Sequence, residues 1–296
     1  MRYQVIDAHN HPDWYGYSAD KFVAEMDRWG IDRCWLLTWD TPENEVDPAQ
    51  FNLLNEGPYR TGEGPIPLWR CLAFKEKYPD RFIVGYAPDP RRPDAIDNLE
   101  AAIALYDIQV CGEIKVRMIY DNPDAVEYFR FCGEKKLPVT LHFENPISTG
   151  RKYPRRSYWY GGDMDALERL LQKCPDTKFL GHALGFWSTI SGDSKGENVY
   201  YPDGPVLPGG RIPQLLRRYP NLYCDISARS GRNALQRDPS FAKEFLDEFQ
   251  DRVVFARDCF GNEHKEFLES LNLSQTVYQK IFAQNACSLL RKEGTP

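Results

Sequence analysis

The sequence lacks the features that would assign it to several special classes of protein. No apolar run approaches the roughly 18 residues that a membrane-spanning helix needs, and no basic start leads into an apolar core, as in a secretion signal. The eight cysteines lie far apart without a C-x-x-C pair, so we expect reduced thiols in a cytoplasmic protein. Basic residues are scarcer than acidic ones, 37 against 43, and this balance disfavours a nucleic-acid-binding role. What remains is an ordinary globular protein, with 42% hydrophobic and 27% charged residues.

Short apolar segments alternate with amphipathic segments along the whole chain. The apolar segments predict eight strands: Val5–His9, Arg33–Thr38, Phe82–Ala87, Val110–Val116, Pro138–His142, Lys178–His182, Leu222–Asp225 and Val253–Ala256. The amphipathic segments predict eight helices: Ser18–Trp29, Leu68–Tyr78, Pro93–Tyr106, Pro123–Lys135, Asp163–Cys174, Gly210–Tyr219, Phe241–Phe249 and Asn262–Leu271. Because the strands are too apolar for a half-exposed sheet, the pattern predicts a parallel sheet closed into a (β/α)8 barrel, or TIM barrel. No linker divides the chain, so residues 1–296 are predicted to form one α/β domain.

Three long segments interrupt this alternation, at residues 40–67, 145–162 and 191–210. Each leaves the C-terminal end of a predicted strand, so we interpret all three as βα loops. In a (β/α)8 barrel these loops surround the active site, and loops of this length are more often functional than decorative. The sequence therefore predicts a site at the C-terminal mouth of the barrel.

Histidine is rare, with five residues in the chain, and four of the five stand at predicted strand ends. In the opening motif, strand alternation predicts that Asp7, His9 and His11 share one face; the fifth histidine, His264, is interpreted as a helix-surface residue. The groups that the predicted barrel brings to its mouth are the following: His9, His11, Glu113, His142, His182 and Asp258. Burying so many titratable groups costs several kcal/mol each unless their charges are compensated. This cost predicts a divalent metal, for which imidazole and carboxylate ligands suit zinc, manganese or iron.

Together these motifs resemble the amidohydrolase superfamily. The resemblance rests on the D-x-H-x-H motif of residues 7–11, on histidines that end strands five and six, and on Asp258 after strand eight. The segment 257–261 (RDCFG) is similar to the amidohydrolase-2 group, which is related to aminocarboxymuconate-semialdehyde decarboxylase. The pair Gly112-Glu113 instead resembles TatD-type metal hydrolases, in which a glutamate at this point bridges two metals. The resemblance covers essentially the whole chain.

The resemblance implies a ligand set. The two strand-one histidines and Asp258 would hold one metal, with zinc favoured over manganese or iron. Glu113 would bridge this metal to a second one, held by His142 and His182. If Glu113 instead forms a structural ion pair, for example with Lys115, a single metal would use the strand-one histidines, Asp258 and His142.

The implied chemistry is hydrolysis by a metal-activated water. Asp258 would be the general base that takes a proton from this water and passes it to the leaving group. His182 or Lys115 would polarise the scissile carbonyl or stabilise the developing oxyanion. The residues interpreted as substrate contacts are four arginines and a tryptophan: Arg151, Arg155, Arg156, Arg257 and Trp159. Because a guanidinium matches carboxylates and phosphates, they predict a small anionic substrate, unless the loop after strand five is only a solvated surface.

Three functions stay open at this point. The first is a metal-dependent hydrolase of a small anionic amide, ester or lactone. The second is a metal-dependent non-oxidative decarboxylase of a small carboxylic acid, a lyase that needs no bridging glutamate. The third is a TatD-type nuclease, which the negative charge disfavours, or a catalytically silent barrel, which the intact ligands disfavour. We predict the hydrolase, acting on a small molecule without membrane contact, and leave open whether it forms a homo-oligomer.

Overall fold

The computed structural model describes residues 3–46, 66–144, 159–193 and 201–291. Within these ranges the chain forms eight strands, numbered β1 to β8: Ile6–Asn10, Arg33–Leu36, Phe82–Val84, Cys111–Ile114, Val139–His142, Phe179–His182, Leu222–Asp225 and Val253–Val254. Each overlaps one of the strands predicted from the sequence. Nearly every strand residue is buried, as expected for a sheet covered on both faces.

The eight strands close into a barrel. Strands β1 to β3 pair in parallel in sequence order, and so do β4 to β8. A parallel bridge between Gly85 and Val110 joins the two sets on one side. On the other side the amide of Ala8 in β1 donates to the carbonyl of Phe255, just after β8, at 3.0 Å. The predicted TIM barrel is confirmed, and the C-terminal ends of its strands meet at one mouth.

Helices surround the barrel. In the described residues the α-helices, numbered α1 to α12, are Ala19–Trp29, Leu68–Lys77, Ala95–Tyr106, Pro123–Glu134, Met164–Lys173, Ala183–Trp187, Arg211–Arg218, Ala228–Gln236, Pro239–Glu248, Glu263–Ser270, Gln275–Gln279 and Asn285–Leu289. The predicted helices are all present, with ends within two residues of those expected. Helices α6, α8, α11 and α12 were not predicted. None of the helices in the described ranges has both the length and the apolar character to cross a membrane.

Local sequence chemistry sets several helix ends. The Asn122 side chain accepts a hydrogen bond from the amide of Asp124 (2.9 Å), and Pro123 occupies the first position of α4. The Asp163 side chain caps α5 in the same way, accepting from the amide of Ala166 at 2.8 Å. Helix α8, which was not predicted, contains Gly231. That glycine packs closely, since a Cβ atom there would lie 2.4 Å from the carbonyl oxygen of Ile226.

Apolar side chains form two layers. The smaller cluster comes largely from alternate positions in and next to the strands and fills the barrel interior. These residues are Ile6, Ala8, Trp35, Leu37, Ile83, Val110, Leu180, Val254 and Ala256. The larger cluster lies between the sheet and the helices and includes Phe22 and Met26 of α1. The core therefore occupies the lower barrel and the outer layer, and polar groups are left for the mouth.

Two strands are irregular near that mouth. The pairing of β1 with β2 shifts between Asp7 and Asn10, and the pairing of β4 with β5 shifts between Cys111 and Ile114. In each case the paired positions advance by three residues along the first strand but by only two along its partner. Such a bulge inserts one residue and turns the following side chains to a different face.

The bulge in β1 overturns one expectation. Asp7 does not join the histidines; its Oδ2 atom accepts from Nε of Arg257 at 2.8 Å, and Arg257 in turn binds Glu25 of helix α1. His9 lies on the other side, where its Nδ1 is 2.6 Å from a carboxylate oxygen of Asp225. Simple alternation along β1 was therefore the wrong basis for grouping Asp7 with His9.

A second expectation, that His264 lies on a helix surface, is also wrong. The residue is on α10 but only 3% exposed, and its Nε2 donates to the carbonyl oxygen of Ala228 at 2.8 Å. Burial lowers the pKa of His264 to about 4, so the ring is neutral at neutral pH. The neighbouring residues in the sequence are charged, and for this reason the sequence predicted an exposed position for His264.

Candidate metal centre

His9 of strand β1 and His11, which directly follows that strand, converge on one carboxylate. The Nε2 atoms of His9 and His11 lie 3.2 Å apart, and both face Oε2 of Glu113, at 3.7 and 3.5 Å respectively. Both histidines and the glutamate are 1% exposed or less. Two imidazole nitrogens and a carboxylate oxygen directed at a common point form a donor set that a divalent cation can use.

The other oxygen of Glu113 faces a second pair of histidines. Oε1 of Glu113 is 2.5 Å from Nδ1 of His142 and 3.6 Å from Nε2 of His182. These two histidines end β5 and β6, which are adjacent strands, and His142 pairs in register with His182. The carboxylate of Glu113 therefore lies between two pairs of imidazoles, with one oxygen directed at each.

Asp258, which follows β8 and lies next to β1, completes the cluster. Its Oδ1 is 3.4 Å from Nε2 of His11, and its Oδ2 is 3.7 Å from Nε2 of His182. The Oδ1 atom is buried and has no hydrogen-bond partner among the described residues. A buried carboxylate oxygen in this state costs free energy unless a ligand binds it, so the observation fits a bound cation.

A second layer of hydrogen bonds orients the imidazoles. Nδ1 of His9 binds Asp225 at 2.6 Å, Nδ1 of His11 binds the carbonyl oxygen of Leu37 at 2.9 Å, and Nδ1 of His182 contacts the Ser227 hydroxyl at 2.9 Å. When Nδ1 carries the proton, Nε2 keeps its lone pair for a metal. Three of the four imidazoles thus present Nε2 to the cluster.

Asp225 was missed by the sequence reasoning, although it ends strand β7 and is fully buried. Its position as the last residue of a predicted barrel strand was the available clue. Its other oxygen accepts from the amide of Ser227 at 2.8 Å, which fixes the carboxylate in place. The contact with His9 spans 216 residues of sequence and is visible only in the folded chain.

The electrostatics of the cluster match a cation. Burial would raise the pKa of Glu113, but the adjacent imidazoles, His142 first, hold it well below its usual range. Burial would also raise the pKa of Asp258 and of Asp225, but the neighbouring imidazoles lower both. Burial lowers the pKa of His182 to about 4. Burial would lower the pKa of His9 and of His11, but neighbouring carboxylates, Asp225 for His9 and Asp258 for His11, raise both. At neutral pH the carboxylates are therefore ionised and His182 is neutral, whereas His9 and His11 would release a proton when a cation binds.

The donor set as a whole fits divalent metal. Three overlapping groups have their ligand atoms within 4.8 Å of one another: His9, His182 and Asp258; His9, His11 and Glu113; and Glu113, His142 and His182. All donors are nitrogen or oxygen, which suits zinc, manganese or iron rather than a thiolate-preferring ion. Glu113 with His9 and His11 can accept one ion, and Glu113 with the other two histidines can accept another.

Lys115 and Trp39 line the glutamate side of the cluster. The indole nitrogen of Trp39 donates to Oε2 of Glu113. The ammonium of Lys115 is buried and lies 3.8 Å from the centre of the Trp39 ring. Glu144 lies behind His142, with its Oε2 3.2 Å from Nε2 of that ring. Trp39 therefore contacts both Lys115 and Glu113.

The predicted substrate contacts have different locations. Arg257 is 1% exposed, and its guanidinium binds Asp7 and Glu25 instead of facing the histidines. Trp159 is half-buried, two residues before the mouth residue Gly161, whose amide binds the carbonyl of Met118. Residues 145–158 are outside the described ranges, and three of the predicted contacts fall there: Arg151, Arg155 and Arg156. So do residues 47–65 and 194–200 of the predicted long loops.

Comparison with known proteins relates the chain to one family. The family model described as Amidohydrolase matches residues 6–292. No curated protein matches the sequence significantly. Among solved structures, an uncharacterised TIM-barrel protein from Bordetella bronchiseptica is similar over 97% of this chain and 98% of its own, with 17% identity and a TM-score of 0.64.

Two further solved structures contain metal. One is a dihydroxybenzoic acid decarboxylase from Polaromonas with manganese and the inhibitor 2-nitroresorcinol, 16% identical over 97% of both chains, with a TM-score of 0.61. The other is an amidohydrolase from Burkholderia multivorans with zinc, 12% identical over 97% of this chain and 98% of its own, with a TM-score of 0.59. At these identities the likeness concerns the fold.

Proposed function

This chain belongs to the amidohydrolase family of enzymes, and we propose that it is a hydrolase that uses two divalent cations to cleave a small anionic amide, ester or lactone. One cation would be bound by His9, His11 and Asp258. The second would be bound by His142 and His182, with Glu113 as the bridge between the two. Zinc is the metal we favour, with manganese or iron as alternatives.

The observation that carries this proposal is the position of the Glu113 carboxylate. Its Oε2 faces the Nε2 atoms of His9 and His11, and its Oε1 faces His142 and His182. A glutamate that served a single ion would need only one of these pairs. The hydrogen bond from Trp39 to Oε2 keeps the carboxylate from rotating away.

The proposed chemistry assigns the proton transfers to Asp258. A divalent cation bound here would act as a Lewis acid and lower the pKa of water toward ~7. The Asp258 carboxylate is ionised at neutral pH, because nearby imidazoles lower its pKa against the effect of burial. It would accept a proton as the water oxygen attacks the carbonyl carbon. It would then give that proton to the nitrogen or oxygen that leaves when its bond to this carbon breaks.

Other side chains would bind the substrate. Lys115, which lies against the Trp39 ring, would stabilise the developing oxyanion; His182 could do so only in a site where its Nε2 binds no metal. Trp14 and Trp39 contact the ring of His11 edge-on, at centroid distances of 5.5 and 5.0 Å, and offer an apolar wall to a planar group.

The remaining predicted contacts would recognise the charge of the substrate. They are the loop residues Arg151, Arg155, Arg156 and Trp159. Arginine pairs with carboxylates through two parallel hydrogen bonds, so these residues support an anionic substrate. Arg257 is not part of this proposal, because its guanidinium is already bound by Asp7 and Glu25.

A one-metal decarboxylase is the second candidate, favoured by the similarity in fold to a manganese-containing dihydroxybenzoic acid decarboxylase. Such a reaction would need one cation and no deprotonated water, so Glu113 would be a structural residue.

We also propose a cytoplasmic location, since the eight cysteines are free thiols and six of them are buried.

Metal counting tests the proposal. Protein purified without chelator should contain about two ions per chain, one for each group of ligands that shares Glu113. The variant Glu113→Gln should lose about one of them, because an amide is a weaker metal ligand than a carboxylate. The matched control is Glu45→Gln, since Glu45 is also a buried glutamate but binds Arg91 instead of a histidine (2.7 Å); its metal content should equal that of the wild type.

The reaction type is tested with isotopes. A screen of anionic lactones, amides and carboxylic acids in oxygen-18 water should yield products that carry the label, as hydrolysis requires. A wild-type content of one ion, unchanged by Glu113→Gln, together with release of carbon dioxide, would refute the hydrolase and establish the decarboxylase.

A further inference from the structure

A buried arginine ties three parts of the barrel together just before Asp258. Arg257 donates from Nε to Oδ2 of Asp7 on strand β1 (2.8 Å) and from Nη1 to both oxygens of Glu25 on helix α1 (3.0 and 2.8 Å). Nη1 also donates to the carbonyl of Gly261 at 3.0 Å. The arginine, the aspartate and the glutamate are 1%, 0% and 9% exposed. A cation buried between two carboxylates is costly to remove or to leave with one partner.

The same network holds the backbone of residues 257–261. The amide of Arg257 donates to Oδ1 of Asp7, and the carbonyl of Arg257 accepts from the amide of Ala228 at 2.7 Å. The amide of Gly261 donates to Oε1 of Glu25 at 2.7 Å. The carbonyl of Cys259 accepts from the Asn10 side chain at 2.8 Å. Side chains of β1 and α1 therefore bind both ends of this segment.

Asp258 lies in the middle of the segment in an unusual conformation. Its φ angle is 49°, in the left-handed region that non-glycine residues seldom adopt. Its amide donates to the carbonyl of His9 (2.8 Å), and its carbonyl accepts from the indole nitrogen of Trp14 (2.9 Å). A left-handed aspartate persists only where its surroundings enforce it, and this conformation directs the carboxylate to His11 and His182.

We propose that Arg257, together with Asp7 and Glu25, is a positioning device that holds Asp258 in its left-handed conformation and so keeps its carboxylate aimed at the metal cluster. The expected effect on metal binding rests on the proposed function. The restraint on the backbone of Asp258 does not, because it is a property of the fold. Arg257 acts through the backbone next to Asp258 and contacts none of the proposed ligands with its guanidinium.

Two mild variants test the device. Glu25→Gln keeps an acceptor oxygen but removes the charge that binds Arg257, and it lies on a helix away from the cluster. Arg257→Lys keeps the positive charge but cannot reach Asp7, Glu25 and Gly261 together. The matched control is Glu168→Gln, because Glu168 is a helix carboxylate that also binds arginines, Arg211 and Arg218 of α7 (2.9 and 2.7 Å).

Two measurements separate positioning from simple stabilisation. The first is amide hydrogen exchange of peptides covering residues 256–261 in metal-free protein, well below the unfolding transition. The second is the dissociation constant for Zn²⁺, measured by competition with a chromogenic chelator. In both Glu25→Gln and Arg257→Lys, exchange of this segment should accelerate at least about tenfold and zinc should bind roughly 10- to 100-fold more weakly, the usual effect of losing a residue that orients a ligand. Glu168→Gln should change neither.

The outcomes are distinct. A lower melting temperature with unchanged exchange of residues 256–261 and unchanged zinc affinity would overturn the positioning role and make the network a general stabiliser. If wild-type protein binds no divalent metal, the proposed function fails. Exchange then decides the restraint alone: faster exchange in both variants supports it, and equal exchange refutes it. If Glu25→Gln fails to fold, Arg257→Lys carries the same two measurements.

Discussion

Replacing Asp225 by asparagine should weaken zinc binding roughly 10- to 100-fold, the typical loss when the hydrogen-bond partner of a metal-binding histidine is removed. Asp225 accepts on both oxygens: one binds Nδ1 of His9 at 2.6 Å, and the other binds the amide of Ser227 at 2.8 Å. The aspartate therefore keeps the proton of His9 on Nδ1, which leaves Nε2 for the metal.

An asparagine cannot reproduce this pattern in either orientation. If its oxygen accepts from Ser227, its NH2 group donates to Nδ1 of His9, and the proton of that ring moves to Nε2, where it blocks ligation. If its oxygen accepts from His9, its NH2 group faces the amide of Ser227, and two buried donors are left opposed. An unsatisfied buried donor costs about 1–3 kcal/mol, which corresponds to roughly 5- to 150-fold in a binding constant. In either orientation the asparagine should therefore weaken zinc binding by a factor in this range.

The assay is zinc affinity by chelator competition, with melting temperature as the check on folding. Asp238→Asn is the matched control, because Asp238 also accepts two backbone amides, from Val206 and Phe241 (3.0 and 3.1 Å), but contacts no histidine. Its zinc affinity should equal that of the wild type. A folded Asp225→Asn protein with wild-type affinity would refute the role of Nδ1 protonation in preparing His9.

Two further predictions concern Asp258 and His264. Asp258→Asn should keep its fold, since asparagine tolerates the left-handed φ of 49°, and should retain most of its metal while turnover falls at least ~10²-fold, because an amide cannot act as the base; near-normal turnover in metal-loaded protein would instead favour decarboxylation. His264→Gln, which can still donate to Ala228, should remove part of the acid sensitivity of folding. Burial lowers the pKa of His264 to about 4, whereas in the unfolded chain the pKa is ~6.5. As the pH falls below ~6.5, the unfolded chain therefore binds the proton first, and the free energy of unfolding decreases by about 2 kcal/mol by pH ~5. The free energy of unfolding, measured with denaturant at neutral pH and at pH ~5, should differ less between the two pH values in the variant than in the wild type. An equal difference in both proteins would contradict a buried, neutral ring.

The barrel and its histidine cluster follow from information that is local in sequence. Apolar runs, helix caps and breaks specify where strands and helices begin, and eight alternating units leave little choice of architecture. Because parallel strands bring their C-terminal ends to one mouth, the strand-end positions of His9, His142 and His182 already implied that they meet. In the structure Oε1 of Glu113 lies 2.5 Å from Nδ1 of His142, at the same mouth.

The arrangement around the cluster depends on contacts between distant parts of the chain. The bulges in β1 and β4 shift the face that a side chain occupies, and they arise from pairing between strands, which no single segment encodes. The bond from Asp225 to His9 joins residues 216 apart, and that from Arg257 to Asp7 joins residues 250 apart. From sequence, an arginine beside a candidate ligand suggested a substrate contact; in the fold it is buried between two carboxylates. Local propensities determine which elements form and in what order, whereas the partner of a buried polar group is set by whichever acceptor the closed barrel brings within hydrogen-bonding distance.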